Sequence, residues 1–119
     1  MESDKPIYEM EERTFQFAKK ARIWTKNLPK NPAIIEDSKQ LIRSSGSVGA
    51  NYIEANESLS KKDFVFRIRI CRKEAKESAY WIRLIIESNE ISNSKEGKLL
   101  FNESVELKKI FSAIEGKSK

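Results

Sequence analysis

The stretch RSSGSVGANYIEA, Arg43 to Ala55, places three serines and two glycines within the seven residues 44–50. A run that small admits three readings: a loop that holds phosphate, a flexible joint, or a helix surface that another segment approaches closely. A Walker loop needs Gly-x-x-x-x-Gly-Lys-Ser/Thr, and no lysine follows Gly49. Gly46-Ser47-Val48-Gly49 spells the Gly-x-x-Gly of a KH loop, but that module also needs strands, and the chain offers no convincing one. A linker would interrupt helical spacing, and here the spacing continues. At about 100° per residue, Ile35, Ile42, Ser45, Val48, Gly49 and Tyr52 share one side. Gln40, Ser44, Ser47, Asn51 and Glu54 gather on the opposite side, with Arg43 at its margin. Two glycines inside a helix cost about 1 kcal/mol each relative to alanine. Close approach of another helix is the simplest compensation, so the stretch reads as a tightly packed helix.

Working outward, prolines and caps mark the ends of four helices. The first segment, about 7–28, carries Phe17, Ala18, Ala21, Trp24 and Leu28 at steps of three and four, and Pro29 ends it. Asn31-Pro32 reads as an N-cap followed by proline at the first helical position, which opens the second segment, about 32–57. Ser60-Lys61-Lys62-Asp63 has capping-box spacing and starts the third, about 60–87. Asn93-Ser94-Lys95-Glu96 is a second such box, before a fourth segment of about 94–116. Helices of roughly 22 to 28 residues would be about 33–42 Å long. Connections of a few residues force neighbours to run antiparallel, so the expected fold is an all-α, up-down-up-down four-helix bundle spanning 1–119 as one domain.

Composition narrows the chemistry. The chain has no histidine and one cysteine, Cys71, which excludes imidazole bases and Ser-His or Cys-His nucleophile pairs and makes zinc improbable. No cofactor, metal or small-molecule substrate is expected. The start MESDKPIYEMEE lacks the apolar centre of a signal peptide, and no apolar run suits a membrane span, so a cytoplasmic protein is expected. Lys and Arg number 23 against 18 Asp and Glu, a net charge of +5 that permits nucleic-acid contact. Ser58-Leu59-Ser60-Lys61 matches the Ser-x-x-Lys of penicillin-recognising enzymes without the companion motifs.

The third helix has two apolar sides. Phe64, Ile68, Cys71, Ala75, Ala79, Ile82 and Ile86 form the stripe expected to face the bundle, and Phe66, Ile70, Trp81 and Leu84 form a second stripe roughly opposite. Leaving the second stripe in water would forfeit about 1.5–3 kcal/mol for each large side chain, so it reads as the interface of a homo-oligomer. Glu77 within that stripe and Glu74 beside it are expected to pair with arginines. Between the stripes Arg69, Arg72, Lys76 and Arg83 line one edge, able to follow a phosphate backbone. Lys61 and Lys62 sit in the first turn, where the helix dipole favours acids, so local stability does not explain them.

ERTFQFA (Glu12–Ala18), QLIRSSGSVGANYIEA (Gln40–Ala55), KKDFVFRIRICRKEAKESAYWIRLI (Lys61–Ile85) and LKKIFSAI (Leu107–Ile114) resemble the bacterial four-helix-bundle family that includes the 23S rRNA intervening-sequence-encoded proteins. The resemblance covers nearly the whole chain in order. It implies a helical bundle assembled as a homopentamer, and its motif includes the polar face Gln40, Arg43, Ser44, Ser47, Asn51 and Glu54. The accessory variability protein of diversity-generating retroelements has a similar fold and binds nucleic acid and a reverse transcriptase. Family members generally lack an assigned activity. The leading expectation is therefore a non-enzymatic oligomeric binding protein whose basic residues Lys61, Lys62, Arg69, Arg72, Lys76 and Arg83 contact RNA, single-stranded nucleic acid or a partner that handles it. The alternative is a protein-interaction module without a nucleic-acid role. A hydrolase using Glu54, Glu74 or Glu77 is disfavoured for want of a supporting base or metal constellation.

Overall fold

A computed structural model describes residues 5–91 and 94–118. They form α1 (Lys5–Lys26), α2 (Pro32–Asn56), α3 (Lys61–Ser88) and α4 (Lys95–Ser118), with no strand among the described residues. The expected boundaries hold to within two residues. Asn31 caps α2 by accepting from the Ile34 N–H at 2.8 Å, and Ser60 caps α3 by accepting from Asp63 at 3.0 Å. The cap of α4 is Ser94, whose hydroxyl accepts from the Gly97 N–H at 3.0 Å. Asn93, expected to open that box, lies outside the described residues. At the end of α3, Glu90 adopts a left-handed φ of 55° and the Ile91 N–H reaches back to the Ile86 carbonyl at 3.2 Å, a Schellman closure that folds Ile91 onto the core.

The helices occupy the corners of a square in chain order, and diagonal pairs keep their backbones apart among the described residues. The molecule measures 44 × 25 × 18 Å, so α3, about 42 Å long at about 1.5 Å per residue, runs its full length. The seams are unequal. α3 meets α2 and α4 along most of its length, whereas α1 and α4 touch only sparsely. A groove of about 950 Å³ opens there, lined by Phe17, Ile23, Trp24, Leu28, Leu99 and Leu100 among others. One end is bounded by the Trp24 indole N–H donating to Ser94 Oγ at 2.9 Å, the other by Arg13 forking onto Glu103 with two 2.8 Å bonds.

The small-residue stretch lies within α2, as its spacing predicts, and it lets two helices come close. Gly49 faces α1, where an added Cβ would sit 3.0 Å from Thr14 Oγ1 and 3.6 Å from the Thr14 backbone carbon. On the other side, the Ser44 and Ser78 hydroxyls meet at 2.8 Å, and the Cys71 thiol donates to the Val48 carbonyl at 3.4 Å. Gly46 is different, because its nearest neighbour is the Arg22 guanidinium at 3.1 Å, a side-chain end and not backbone.

Two details of the face assignments change. In α2 the structure buries Ile34, Leu41 and Ser44 and leaves Ile35 exposed. Ser44 therefore belongs to the α2–α3 seam and not to the polar face. In α3 the buried line is Ile68, Cys71, Ala75, Ser78, Ile82 and Ile85, with Ala79 and Ile86 only half-buried. Both shifts have one cause. Hydrophobicity cannot choose between adjacent isoleucines, and it misplaces serines whose hydroxyls are satisfied by a helix carbonyl, as Ser44 is by Leu41 and Ser78 by Glu74.

Candidate nucleic-acid interface

Three lengthwise surfaces of α3 remain after its core face is buried: a seam with α2, a seam with α4, and the solvent edge between them. The α2 seam is a polar ladder. Arg43 donates to Glu74 at 2.9 Å and to Glu77 at 2.6 Å, and the Trp81 indole N–H also donates to Glu77 at 3.2 Å. Burial pulls the Glu77 carboxyl up, but the hydrogen bonds from Arg43 and Trp81 outweigh it and hold the group below its ordinary range. The same two carboxylates, Glu77 then Glu74, raise the Arg43 pKa. The expected pairing of Glu74 and Glu77 with an arginine is present, and the arginine comes from α2. Further along, Asn51 donates to Ser47 and accepts from Arg67 at 3.1 Å. Of the polar-face residues, Arg43, Ser47 and Asn51 are engaged in this ladder, Gln40 and Glu54 are exposed, and Ser44 is buried.

The basic residues fall on the other side of α3. Lys61, Lys62, Arg69, Lys76 and Arg83 are exposed and Arg72 is half-buried at the α4 seam. Arg69 donates to Glu115 of α4 at 2.8 Å, Arg72 lies 3.6 Å from the same carboxylate, and Arg83 pairs with Glu87 at 2.8 Å. Lys61, Lys62 and Lys76 form no ion pair among the described residues. The structure thus brings the six expected residues onto one side of the helix, with the lysines facing solvent and two arginines braced by Glu115. Sequence spacing had no means of revealing Glu115, because its partners lie on another helix. Lys73 and Tyr80 share this solvent edge and were also missed; their three- and four-residue steps from Arg69, Lys76 and Arg83 were the available signal.

The second apolar stripe is largely housed by its own bundle. Trp81 packs against the core, Ile70 and Leu84 are half-buried, and only Phe66 stands out, at 58% exposure. At Trp81 the indole N–H is also satisfied, by Glu77, which Arg43 engages from across the α2 seam. Large exposed apolar side chains occur elsewhere, notably Ile23 and Leu99 on the two walls of the α1–α4 groove, 50% and 59% exposed.

Burial pushes the Cys71 thiol up to about 12, which leaves it without thiolate character at neutral pH. Among the described residues, no group of three or more His, Cys, Asp or Glu side chains is placed to hold a metal ion. No helix among them is long and apolar enough to cross a membrane.

A model of the family described as 23S rRNA-intervening sequence protein matches residues 8–113. No curated protein matches the chain. The fold superposes with a TM-score of 0.75 on the crystal structure of a protein of unknown function from the S23 ribosomal protein family of Bacteroides thetaiotaomicron. That protein is 30% identical over 87% of this chain and 95% of its own. With a family match over nearly its whole length and a relative that shares its helix arrangement, the chain belongs to the 23S rRNA-intervening sequence protein family.

Proposed function

We propose that this chain is a non-enzymatic, self-associating binding protein whose solvent-facing side of α3 contacts RNA or single-stranded nucleic acid, or a protein that handles it. The observation that carries the reading is the gathering of Lys61, Lys62, Arg69, Arg72, Lys76 and Arg83 on one side of a helix, with Lys61, Lys62 and Lys76 free of ion pairs among the described residues. Braced arginines and exposed lysines together suit a phosphate backbone. Self-association would repeat that surface and combine modest contacts through effective concentration. Five copies is the number that the family resemblance implies. The exposed Ile23 and Leu99 beside the α1–α4 groove support self-association better than the largely covered stripe of Ile70, Trp81 and Leu84.

Fluorescence anisotropy with a labelled single-stranded RNA at about 50 and 200 mM salt tests the proposal. The triple substitution Lys61→Gln, Lys62→Gln, Lys76→Gln should weaken binding and lower the log–log salt slope by about 2, at about 0.7 per lost phosphate contact. These lysines are the right probes, because removing Arg69 and Arg72 would strip partners from the buried Glu115 carboxylate and confound binding with stability. Light scattering should give several times the 13.8 kDa chain mass. No binding at the lower salt by an intact oligomer would favour the second reading, a protein-interaction module, for which the α1–α4 groove is the supporting observation.

A further inference from the structure

The outermost line of α3 consists of Lys62, Phe66, Arg69, Lys73, Lys76, Tyr80 and Arg83, separated by alternating steps of four and three. That spacing keeps them on one face of the helix. All are solvent-exposed, and the line holds five cations, two aromatic rings and no acid. It extends about 32 Å from Lys62 to Arg83, with Phe66 and Tyr80 about 21 Å apart, at about 1.5 Å per residue.

The bundle does not account for the two rings. Phe66 and Tyr80 are each 58% exposed, and neither belongs to the core cluster. Tyr80 stands edge-on to Trp81 with centroids 5.0 Å apart and an interplanar angle of 80°, and Trp81 is itself packed against the core. That contact holds the Tyr80 ring while most of it stays in water. The cations are also in usable states. Arg69 and Arg83 are braced by Glu115 and Glu87, whereas Lys62, Lys73 and Lys76 form no ion pair among the described residues.

We propose that this line is a track for a nucleic-acid strand with accessible bases: the cations follow the phosphates, and Phe66 and Tyr80 each stack a base. Basic tracks with interleaved aromatic rings bind single strands with little sequence preference, because every base has a stackable face. A duplex offers this surface phosphates alone, since its bases are stacked on each other. The inference rests on the nucleic-acid reading of the same face and narrows it to single-stranded RNA or DNA, with Phe66 serving that strand and not an oligomer interface.

The test uses the whole chain and three labelled probes of equal length, about 16 nucleotides, the upper end of known single-strand site sizes: oligothymidylate, an abasic strand and a blunt duplex. Oligothymidylate should bind tightest. Phe66→Leu combined with Tyr80→Leu should lose at least about 30-fold in affinity for it, the lower bound of two stacking contacts. The salt slope should stay unchanged, because no phosphate contact is removed. The same variant should bind the abasic strand as the native chain does, and Tyr80→Phe should retain native affinity for oligothymidylate. Both positions are exposed, so a thermal melt should confirm an unaltered fold. Native-like binding by the leucine variant, a reduced salt slope, or a duplex bound as tightly as the single strand would overturn the stacking track and leave a plain phosphate-binding face. Failure to bind any of the three probes would remove the nucleic-acid reading and this inference together.

Discussion

Gly49→Leu is the substitution that most directly tests why α2 contains its small-residue stretch. Leucine gains about 0.8–1 kcal/mol over glycine in helix propensity, so a glycine kept only for flexibility would yield a more stable variant. The structure points the other way. A Cβ at position 49 would lie 3.0 Å from Thr14 Oγ1 and 3.3 Å from Thr14 Cβ. Thr14 is wholly buried, and its hydroxyl donates to the Glu11 carbonyl at 2.9 Å, so it cannot swing aside. Alanine should be close to neutral, its propensity gain spent on a few tenths of an ångström of helix displacement. Leucine adds three more carbons against the α1 backbone, an overpacking cost of about 1–3 kcal/mol. After subtracting the propensity gain, the net loss is about 0–2 kcal/mol, or about 0–8 °C in Tm at about 4 °C per kcal/mol. Gly46→Ala is the control, because only the movable end of Arg22 lies near it at 3.1 Å. That variant should stabilise the chain by up to about 1 kcal/mol. Circular-dichroism melts of the three variants decide the matter, and a Tm for Gly49→Leu raised by about 4 °C, the propensity gain alone, would refute the packing argument.

Gly97→Ala should cost about 1–3 kcal/mol, since its Cβ would fall 2.7 Å from Trp24 Cζ2 and 3.0 Å from Ile86 Cδ1. A lowered Tm with red-shifted indole emission would report the displaced Trp24, and a stabilised variant would contradict the contact. Glu90→Gly should raise stability by about 0.5–1 kcal/mol by relieving the left-handed φ of 55° at the end of α3, measurable by urea unfolding. The Glu77 carboxyl is held below its ordinary 4.5 in the folded chain, so its contribution is present above that pH and is lost as pH falls through the folded value. Glu77→Gln should therefore be less stable than native at pH 7, with the gap narrowing on acidification; parallel pH curves would show that Arg43 and Trp81 contribute nothing through this group. Leu99→Glu should lower the mass seen by light scattering if the α1–α4 groove carries self-association, whereas Trp81→Glu would disturb the fold first, because that ring packs on its own core.

The sequence by itself determined the four helices, their ends and their antiparallel order. Local chemistry suffices for these: Asn31-Pro32 and Ser60 cap helices wherever they lie in space, and connections of a few residues leave neighbours no alternative to running side by side. Glycines at 46 and 49 within unbroken spacing also announced a close approach, though only Gly49 proved to meet backbone. Tertiary structure decided which of two adjacent apolar residues turned inward, Ile34 over Ile35 and Ile85 over the more exposed Ile86, because a hydropathy pattern fixes a face only to within one position of a 3.6-residue turn. It also decided the fate of charge. Arg43 bonds across to Glu74 and Glu77 and Arg69 to Glu115, partners 31, 34 and 46 positions away. The α1–α4 groove was equally invisible, since an open seam is a property of two helices failing to meet and is written in neither one.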